Sequence, residues 1–437
     1  MSRPGACASL PRMLDPRTLQ VRREEIAESC RRRGATIDID AAIGHQERVA
    51  ALQTALNDAN RRRNEHQNAG KRPMPIAERE AHAAEGRRHK DEVGRLEAEL
   101  ALAQGALAEA MSAIPNLVHP DAPVGGENDF RELRRWGTPR PFDFQALDHL
   151  ALGAKLDLFD FDGGARVAGQ KWYFLKNAAV LLELSLQRLA LDVLIEDGFT
   201  PFITPDVAKP EILDGIGYSP RGPETQIYSI ANHDLCLVGT AEITLGGLYA
   251  NMILDEEQLP LKLAGLSHCF RTEAGAHGRE SKGLYRVHQF SKVEMFAFTR
   301  PEDSEDMHEH LVALEEKIHQ QLEIPYRVVD IATRDLGAPA YRKFDLEAWM
   351  PGRGEGGAYG EVTSASNCTD YQARRLGIRF RRKGTKKNEL VHTLNGTAVA
   401  LSRAPIAILE NHQQADGSIL LPKALQRFMG RDKIEPR

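Results

Sequence analysis

Small or apolar residues recur at Ala42, Val49, Leu52, Leu56 and Ala59, and again at Val93, Leu96, Leu100, Ala103 and Leu107, with polar residues between them. That three-and-four spacing lays one narrow stripe along each of two helices. Between the stripes, Ala69–Pro75 (AGKRPMP) combines Gly with two prolines, which ends a helix and reverses the chain. Two long helices with facing stripes and polar flanks predict an antiparallel coiled-coil hairpin over about residues 42–110. The plainer alternative is a pair of helices lying on a core. Ile114–Val124 (IPNLVHPDAPV) has three prolines and no periodicity, and reads as a linker.

Beyond it the pattern changes. Asn177–Ile195 is a mostly apolar helix stopped by Asp197-Gly198, and short strand-like runs follow: FTPFIT, QIYSI, KLAGLSHCFR and YRVHQFSKVEMFAF. Several strands with helices outside them, without strict strand–helix alternation, predict an α+β domain built on an antiparallel sheet flanked by helices. A chain of 437 residues exceeds what one core usually organises. Two domains are expected, residues 1–118 with the hairpin and residues 119–437. No P-loop pattern occurs, and neither a P-loop nor a dinucleotide site is expected.

Composition adds limits rather than an activity. The 42% apolar and 27% charged residues are those of a folded soluble chain. A net charge of −5 argues against a globally basic nucleic-acid surface, so any RNA contact must be local. The densest basic stretch is Arg374–Lys387, and a smaller one is Arg61, Arg62 and Arg63. Such runs are more often solvated surface than binding patches. The five cysteines, Cys7, Cys30, Cys236, Cys269 and Cys368, lack paired spacing, which points to a reducing compartment. No apolar run is long enough to span a membrane, and the expected location is the cytoplasm. The basic, acid-free start MSRPGACASLPRM leaves a mitochondrial presequence as the minor alternative.

The chemistry concentrates in His268–Phe298, two strand-like ends around a polar, Gly-rich loop. Alternation along a strand puts Arg271 and Glu273 on one face, and Arg286, His288, Phe290 and Glu294 on one face of the second strand. Guanidinium groups grip phosphate oxygens, a ring stacks on a base, and carboxylates accept from amines. A nucleotide site and a salt-bridged sheet surface are both compatible with that row. His288 reads as hydrogen-bonded scaffold rather than a general base. Thr397, Ala400 and Arg403 fall at a spacing that reads as an amphipathic helix leading into a turn.

This segment closely resembles the second signature motif of the class II aminoacyl-tRNA synthetases, in its seryl form. Gly239-Thr240-Ala241-Glu242 is similar to that family's serine-binding element. Glu361-Val362-Thr363-Ser364 with Asp370–Arg375 resembles its metal and ATP segment, and Thr393–Gln413 its third motif. Gly198–Pro205 resembles the weaker first motif, whose proline is associated with a dimer interface. The elements span nearly the whole chain in the expected order, and the resemblance includes the N-terminal hairpin.

The resemblance implies a homodimeric enzyme that uses ATP and Mg²⁺ to activate L-serine and load it onto serine tRNA. It assigns the α-phosphate to Arg271, the neighbourhood of the adenine amine and serine amino group to Glu273, the adenine face to Phe290, a backbone contact to Val287, the triphosphate to Arg286 and the γ-phosphate to Arg403. Thr272, Val362 and Thr363 complete the ATP segment, and Glu361 and Ser364 hold Mg²⁺. Arg271, Arg403 and Glu361 are the expected catalytic residues. Serine is read by Thr240, Ala241, Glu242, Arg271, Glu294, Asn395 and Thr397. Arg61, Arg62 and Arg63 on the hairpin are expected to contact tRNA.

Ala398, Ser402, Ala365 and Cys368 depart from the family's usual residues and could narrow the pocket. A zinc-using variant of the family has cysteine ligands at the amino-acid site. Cys236 and Cys269 do not reproduce such a set, so no zinc is expected. Two rival readings stay open: a specialised or inhibitor-resistant copy of the enzyme, and a noncatalytic RNA-binding paralogue. The second typically loses its ATP ligands, which are all present here.

Overall fold

In the computed structural model, residues 16–218, 226–274 and 282–436 are described. The candidate presequence and the centre of the Gly-rich loop, residues 275–281, lie outside them. The chain falls into two compact units, one ending at Leu117 and the other beginning at Val118.

The first unit is helical: α1 (Arg23–Arg33), α2 (Ile39–Ala69) and α3 (Ile76–Ala113). Gly34 closes α1 in the left-handed region at φ 70°, where a side chain would be strained. Asp38 caps α2 by accepting from the Ala41 amide. The two stripes meet as expected: Leu52, Leu56, Ala59, Val93, Leu96 and Leu100 form one buried seam, flanked by Val49 and Ala103. At 1.5 Å per residue α2 and α3 extend about 46 and 57 Å. That seam holds the pair together. The segment Ile114–Val124 has no helix or strand, and Ile114, Leu117, Val118 and Ala122 within it are buried.

The second unit is built on an eight-stranded sheet. Its strands in chain order are β1 (Arg131–Trp136), β2 (Thr200–Ile203), β3 (Leu261–Phe270), β4 (Gln289–Thr299), β5 (Tyr326–Asp330), β6 (Arg342–Met350), β7 (Ala358–Thr369) and β8 (His392–Ala400). They are arranged β1-β5-β6-β7-β8-β4-β3-β2, antiparallel throughout except for the parallel edge pair β2–β3. The apolar helix is α4 (Ala178–Glu196), ended by Gly198 at φ 85°. It packs with α6 (Ser304–Gln321) on one face of the central strands, where Val293, Met295 and Ala297 of β4 enter the main core. Phe290, Lys292 and Glu294 alternate with those residues and point to the opposite face. On that side stand the short helices α5 (Ala241–Gly247) and α7 (Tyr371–Leu376), and α8 (Ala404–His412) follows β8. No helix among the described residues is long and apolar enough to cross a membrane.

Several local expectations change. QIYSI makes only an isolated bridge, Ser229 to Cys236, rather than a strand. Thr397 and Ala400 lie on strand β8 and not on a helix, because the flanking strands offer a ladder that outweighs local spacing. Gly352, Gly354 and Gly357 do have a dinucleotide-like G-x-G-x-x-G spacing. They form the turn between antiparallel β6 and β7, with no helix N-terminus to receive a phosphate.

Candidate active site

β3 ends at Phe270, so Arg271 and Glu273 lie past the strand and their relation does not come from strand alternation. Glu273 adopts φ 51°, which turns the chain so that its carboxylate meets Arg286 at 3.1 Å. Arg286, too, precedes its strand: β4 begins only at Gln289, after a 3-10 turn at Gly283–Tyr285. His288 Nδ1 donates to the Arg271 carbonyl at 2.9 Å, lies 3.0 Å from Tyr228 Oη, and its ring stacks on Trp172. It is scaffold, as the sequence suggested.

Around these groups is an open cleft enclosing about 450 Å³, solvent included. Arg271, Glu273, Arg286, Val287, Phe290, Glu361, Val362, Thr363, Thr397 and Arg403 all line it. The Arg271 guanidinium sits 5.4 Å from the centre of the Phe290 ring and reaches the Gly239 carbonyl at 3.4 Å. From the other side Arg403, at the N-cap of α8, pairs with Glu361 at 3.0 Å and stacks over Tyr285, which Arg353 also covers. Burial opposes ionisation of Glu361, but Arg403 and Lys343 outweigh it and hold the carboxyl well below its ordinary range.

Two β-bulges set these directions. Glu347 faces Glu361 while Leu346 faces Thr363, so Val362 is an extra residue on β7. The kink leaves Glu361 reaching Arg403 across the cleft, while the Thr363 hydroxyl donates to buried Glu315 at 2.9 Å. On β8, Thr397 faces Glu294 and Val399 faces Val293, which makes Ala398 the extra residue.

The proposed serine readers form a second, deeper group. Thr240 caps α5 by accepting from the Glu242 amide at 3.2 Å. Ala241, next along, is buried. Glu242 Oε1 accepts from Asn395 at 2.8 Å and from Gln372 at 2.6 Å. Glu294 accepts from Thr397 at 3.4 Å and pairs with Lys292 at 2.5 Å. Burial pushes Glu294 up against the pull of Lys292, and burial with the neighbouring Glu294 pushes Glu242 up to about 7. Thr397, Lys292 and Arg271 also line the cleft, so the two groups are continuous through them.

Two residues of the expected ATP set are not cleft walls. The Thr272 amide is tied to the Gln226 carbonyl at 3.1 Å. Ser364 faces Asp345 across β6–β7 and hydrogen-bonds to it. Sequence reasoning missed Lys292, Gln372, Tyr285 and Asp345. Lys292 was accessible to it, since alternation places residue 292 between Phe290 and Glu294 on one face. The others were not, because only tertiary pairing brings them in.

The departures from the family pattern fall mostly outside the cleft. Ala398 and Ala365 are buried in the main core, and Cys368 sits 3.6 Å from the Asn395 amide. Ser402 is the exception: it is buried and lines the cleft beside Arg403. Among the described residues the four cysteines are buried and form no disulfide. On the helical unit, Arg61 pairs with Asp58 and Arg62 with Glu92, both exposed, while the Nε of Arg63 is a buried atom with no partner. Part of the Arg374–Lys387 run is spent internally: Arg382 binds Glu302 and Glu389, and its hydrogen bonds hold the Glu302 carboxyl down at about 2.

An antiparallel sheet carrying a cleft lined by opposed arginines, a stacked ring and carboxylates is that of a class II aminoacyl-tRNA synthetase core. Residues 227–412 match the family described as tRNA synthetase class II core domain (G, H, P, S and T), and residues 13–118 match the seryl-tRNA synthetase N-terminal domain. A serine–tRNA ligase of Rhodopirellula baltica is 55% identical over 432 residues, covering 97% of this chain and 100% of that protein. One from Treponema denticola is 53% identical over 423 residues, with the same coverage. The crystal structure of seryl-tRNA synthetase from Pyrococcus horikoshii complexed with ATP superposes with a TM-score of 0.88 at 39% identity, covering 97% of this chain and 100% of that one. The chain belongs to the seryl-tRNA synthetase family.

Proposed function

We propose that the cleft holds ATP over Phe290 between Arg271 and Arg403, with serine in the deeper group around Glu294 and Glu242. The reaction is that of the family: ATP-dependent formation of seryl-adenylate, then transfer of the seryl group to serine tRNA. In the first step the serine carboxylate attacks the α-phosphorus and pyrophosphate departs. No protein nucleophile is needed, so the chain's contribution is alignment and neutralisation of phosphate charge. Arg271 serves the α-phosphate, Arg286 and Arg403 the outer phosphates, and Val287 offers backbone beside the adenine. In the second step the terminal ribose hydroxyl of the tRNA attacks the adenylate carbonyl and AMP leaves.

The observation that carries this reading is the opposition of Arg271 and Arg403 across one cleft, with Phe290 as its floor. Both guanidiniums are held by weak or exchangeable partners, a carbonyl at 3.4 Å and the Glu361 carboxylate. Phosphates would replace those partners. Serine is selected by its hydroxyl at Glu294, since alanine brings no donor to that buried carboxylate and forfeits the hydrogen bond, with only Lys292 and Thr397 left as its partners. Glu242 then accepts from the serine ammonium group, with Asn395 and Thr397 bonded to the two carboxylates and Thr240 capping the helix that carries Glu242.

The side chains also fit Mg²⁺, which prefers hard oxygen ligands. Glu361 remains ionised, Ser364 lies three residues further along the same strand and hydrogen-bonds to Asp345, and Asp345 Oδ1 is a buried oxygen with no hydrogen-bond partner. Glu361 and Ser364 would hold the ion, and Asp345 would support Ser364. Bound there, Mg²⁺ supplies charge neutralisation on phosphate oxygens.

We further infer a homodimer working in the cytoplasm. The edge strand β2 and the helix α4 that packs on it expose Ile203, Val180 and Leu184, apolar residues that a second copy would cover. The arm of α2 and α3, with Arg61 to Arg63, meets tRNA phosphates. ATP–pyrophosphate exchange screened across amino acids, followed by charging of serine tRNA, tests the reading. Exchange with serine alone and charging of that tRNA is expected. Exchange with another amino acid, or none with any, would overturn it.

A further inference from the structure

We propose that the arm binds one divalent transition-metal ion of the zinc class between α2 and α3, held by His66, Glu85 and His89. Among the described residues these three groups present ligand atoms within 4.8 Å of one another. His66 comes from α2, while Glu85 and His89 lie one turn apart on α3, so an ion bound by all three joins the two helices. None of these residues belongs to the catalytic cleft, and the expectation of no zinc rested on cysteines alone.

The hydrogen bonding of His66 points to a cation. Its Nε2 lies 2.9 Å from the His82 carbonyl oxygen. A carbonyl only accepts, so Nε2 must carry the proton, and the lone pair of a neutral ring is on Nδ1. That Nδ1 faces a Glu85 carboxylate oxygen at 3.8 Å. Two acceptors therefore confront each other, and a cation between them satisfies both. An imidazole whose second nitrogen donates to a backbone carbonyl is the usual arrangement of a metal-bound histidine, because it fixes the tautomer and the ring direction. The His82 ring stacks on His66 at 3.7 Å and holds that orientation further.

The other Glu85 oxygen is 4.0 Å from His89 Nε2. In a tetrahedral site with bonds of about 2.0–2.1 Å, ligand atoms stand about 3.3 Å apart. The ligand atoms lie within 4.8 Å of one another, so the site closes by up to about 1.5 Å on binding. Glu85 is largely exposed and free to rotate inward, whereas His66 and His89 are mostly covered. Two imidazoles and one carboxylate favour Zn²⁺ and its neighbours over Mg²⁺ or Ca²⁺, which take oxygen ligands. The remaining position would go to water. The ion would fix the register of the helix pair close to Arg61, Arg62 and Arg63, three to five residues before His66 on α2.

The test uses the full chain, stripped with a chelator and titrated with Zn²⁺ by calorimetry and with Co²⁺ by visible absorption, in the presence of ATP, serine and excess Mg²⁺ to occupy the cleft. The expected result is one ion per chain, with a tetrahedral Co²⁺ band. Affinity should fall by about 30-fold or more in His66→Ala, Glu85→Gln and His89→Ala. Zn²⁺ should slow amide exchange over residues 66–89 in the parent chain and not in the variants, whose helicity by circular dichroism should match the parent's. No uptake overturns the proposal, since a proton on His66 then accounts for the contact. Uptake that these three substitutions leave unchanged also overturns it.

Discussion

Glu294 stands at the junction of specificity and electrostatics. It is buried with Lys292 as its ion-pair partner and Thr397 as its hydroxyl donor. Glu294→Ala removes the acceptor proposed for the serine hydroxyl and leaves Lys292 buried without its partner. Serine-dependent pyrophosphate exchange should fall by about 10³-fold or more in kcat/KM. Exchange within tenfold of the parent would remove Glu294 from the site. Glu242 gives a pH signature. Burial and Glu294 raise its pKa to about 7, so below that pH it carries a proton and no longer offers a carboxylate to the serine ammonium. KM for serine should rise as pH falls through 7, approaching about tenfold per pH unit, and Glu242→Gln should flatten the profile. A KM constant from pH 8 to 5.5 would contradict the assignment. The stability sign is opposite: a carboxyl with a raised folded pKa stabilises the serine-free protein below its ordinary range, and that contribution is lost as pH rises through 7.

The elements differ in how far the sequence reveals them. The α2–α3 pair was legible because its seam is local: the stripe Leu52, Leu56 and Ala59 needs only the helical period to be seen. The helix Ala178–Glu196 and its Gly198 stop were legible for the same reason. Around the site, local patterns were less informative. Glu361 and Thr397 owe their directions to bulges on β7 and β8, and a bulge is a property of two strands, invisible in either alone. Arg271 and Glu273 were paired through a strand that stops before both, and their closeness to the cleft comes instead from the turn at Glu273. The resemblance supplied those residues where periodicity could not. For the arm, we predict that removing Ala42–Ala110 leaves serine-dependent pyrophosphate exchange within a few-fold of the parent and impairs tRNA charging by at least 10²-fold. Unimpaired charging by a folded deletion variant would refute the arm's role. Arg61→Ala should raise KM for tRNA and reduce the salt slope of binding by about one.

At the scale of the whole molecule, the sheet gives one face to a core and the other to the cleft. Val293, Met295 and Ala297 enter the core beneath α4 and α6, and the alternate residues of the same strand supply Phe290, Lys292 and Glu294 to the opposite face. A single 11-residue strand therefore couples stability to the site. The same α4 presents apolar residues outward, so Leu184→Glu should shift a dimer toward monomer in sedimentation and lower charging more than adenylation. An unchanged dimer would place the interface elsewhere. The central claim is that ATP and serine lie together on the cleft face of β4, between Arg271 and Arg403. Its most direct test is a crystal structure with a nonhydrolysable seryl-adenylate analogue. The adenine should stack on Phe290, the phosphate mimic should contact Arg271, and the serine hydroxyl should lie within hydrogen-bond distance of Glu294. An analogue bound elsewhere, with Arg403 still on Glu361 and Glu294 still closed on Lys292 and Thr397, would contradict the account.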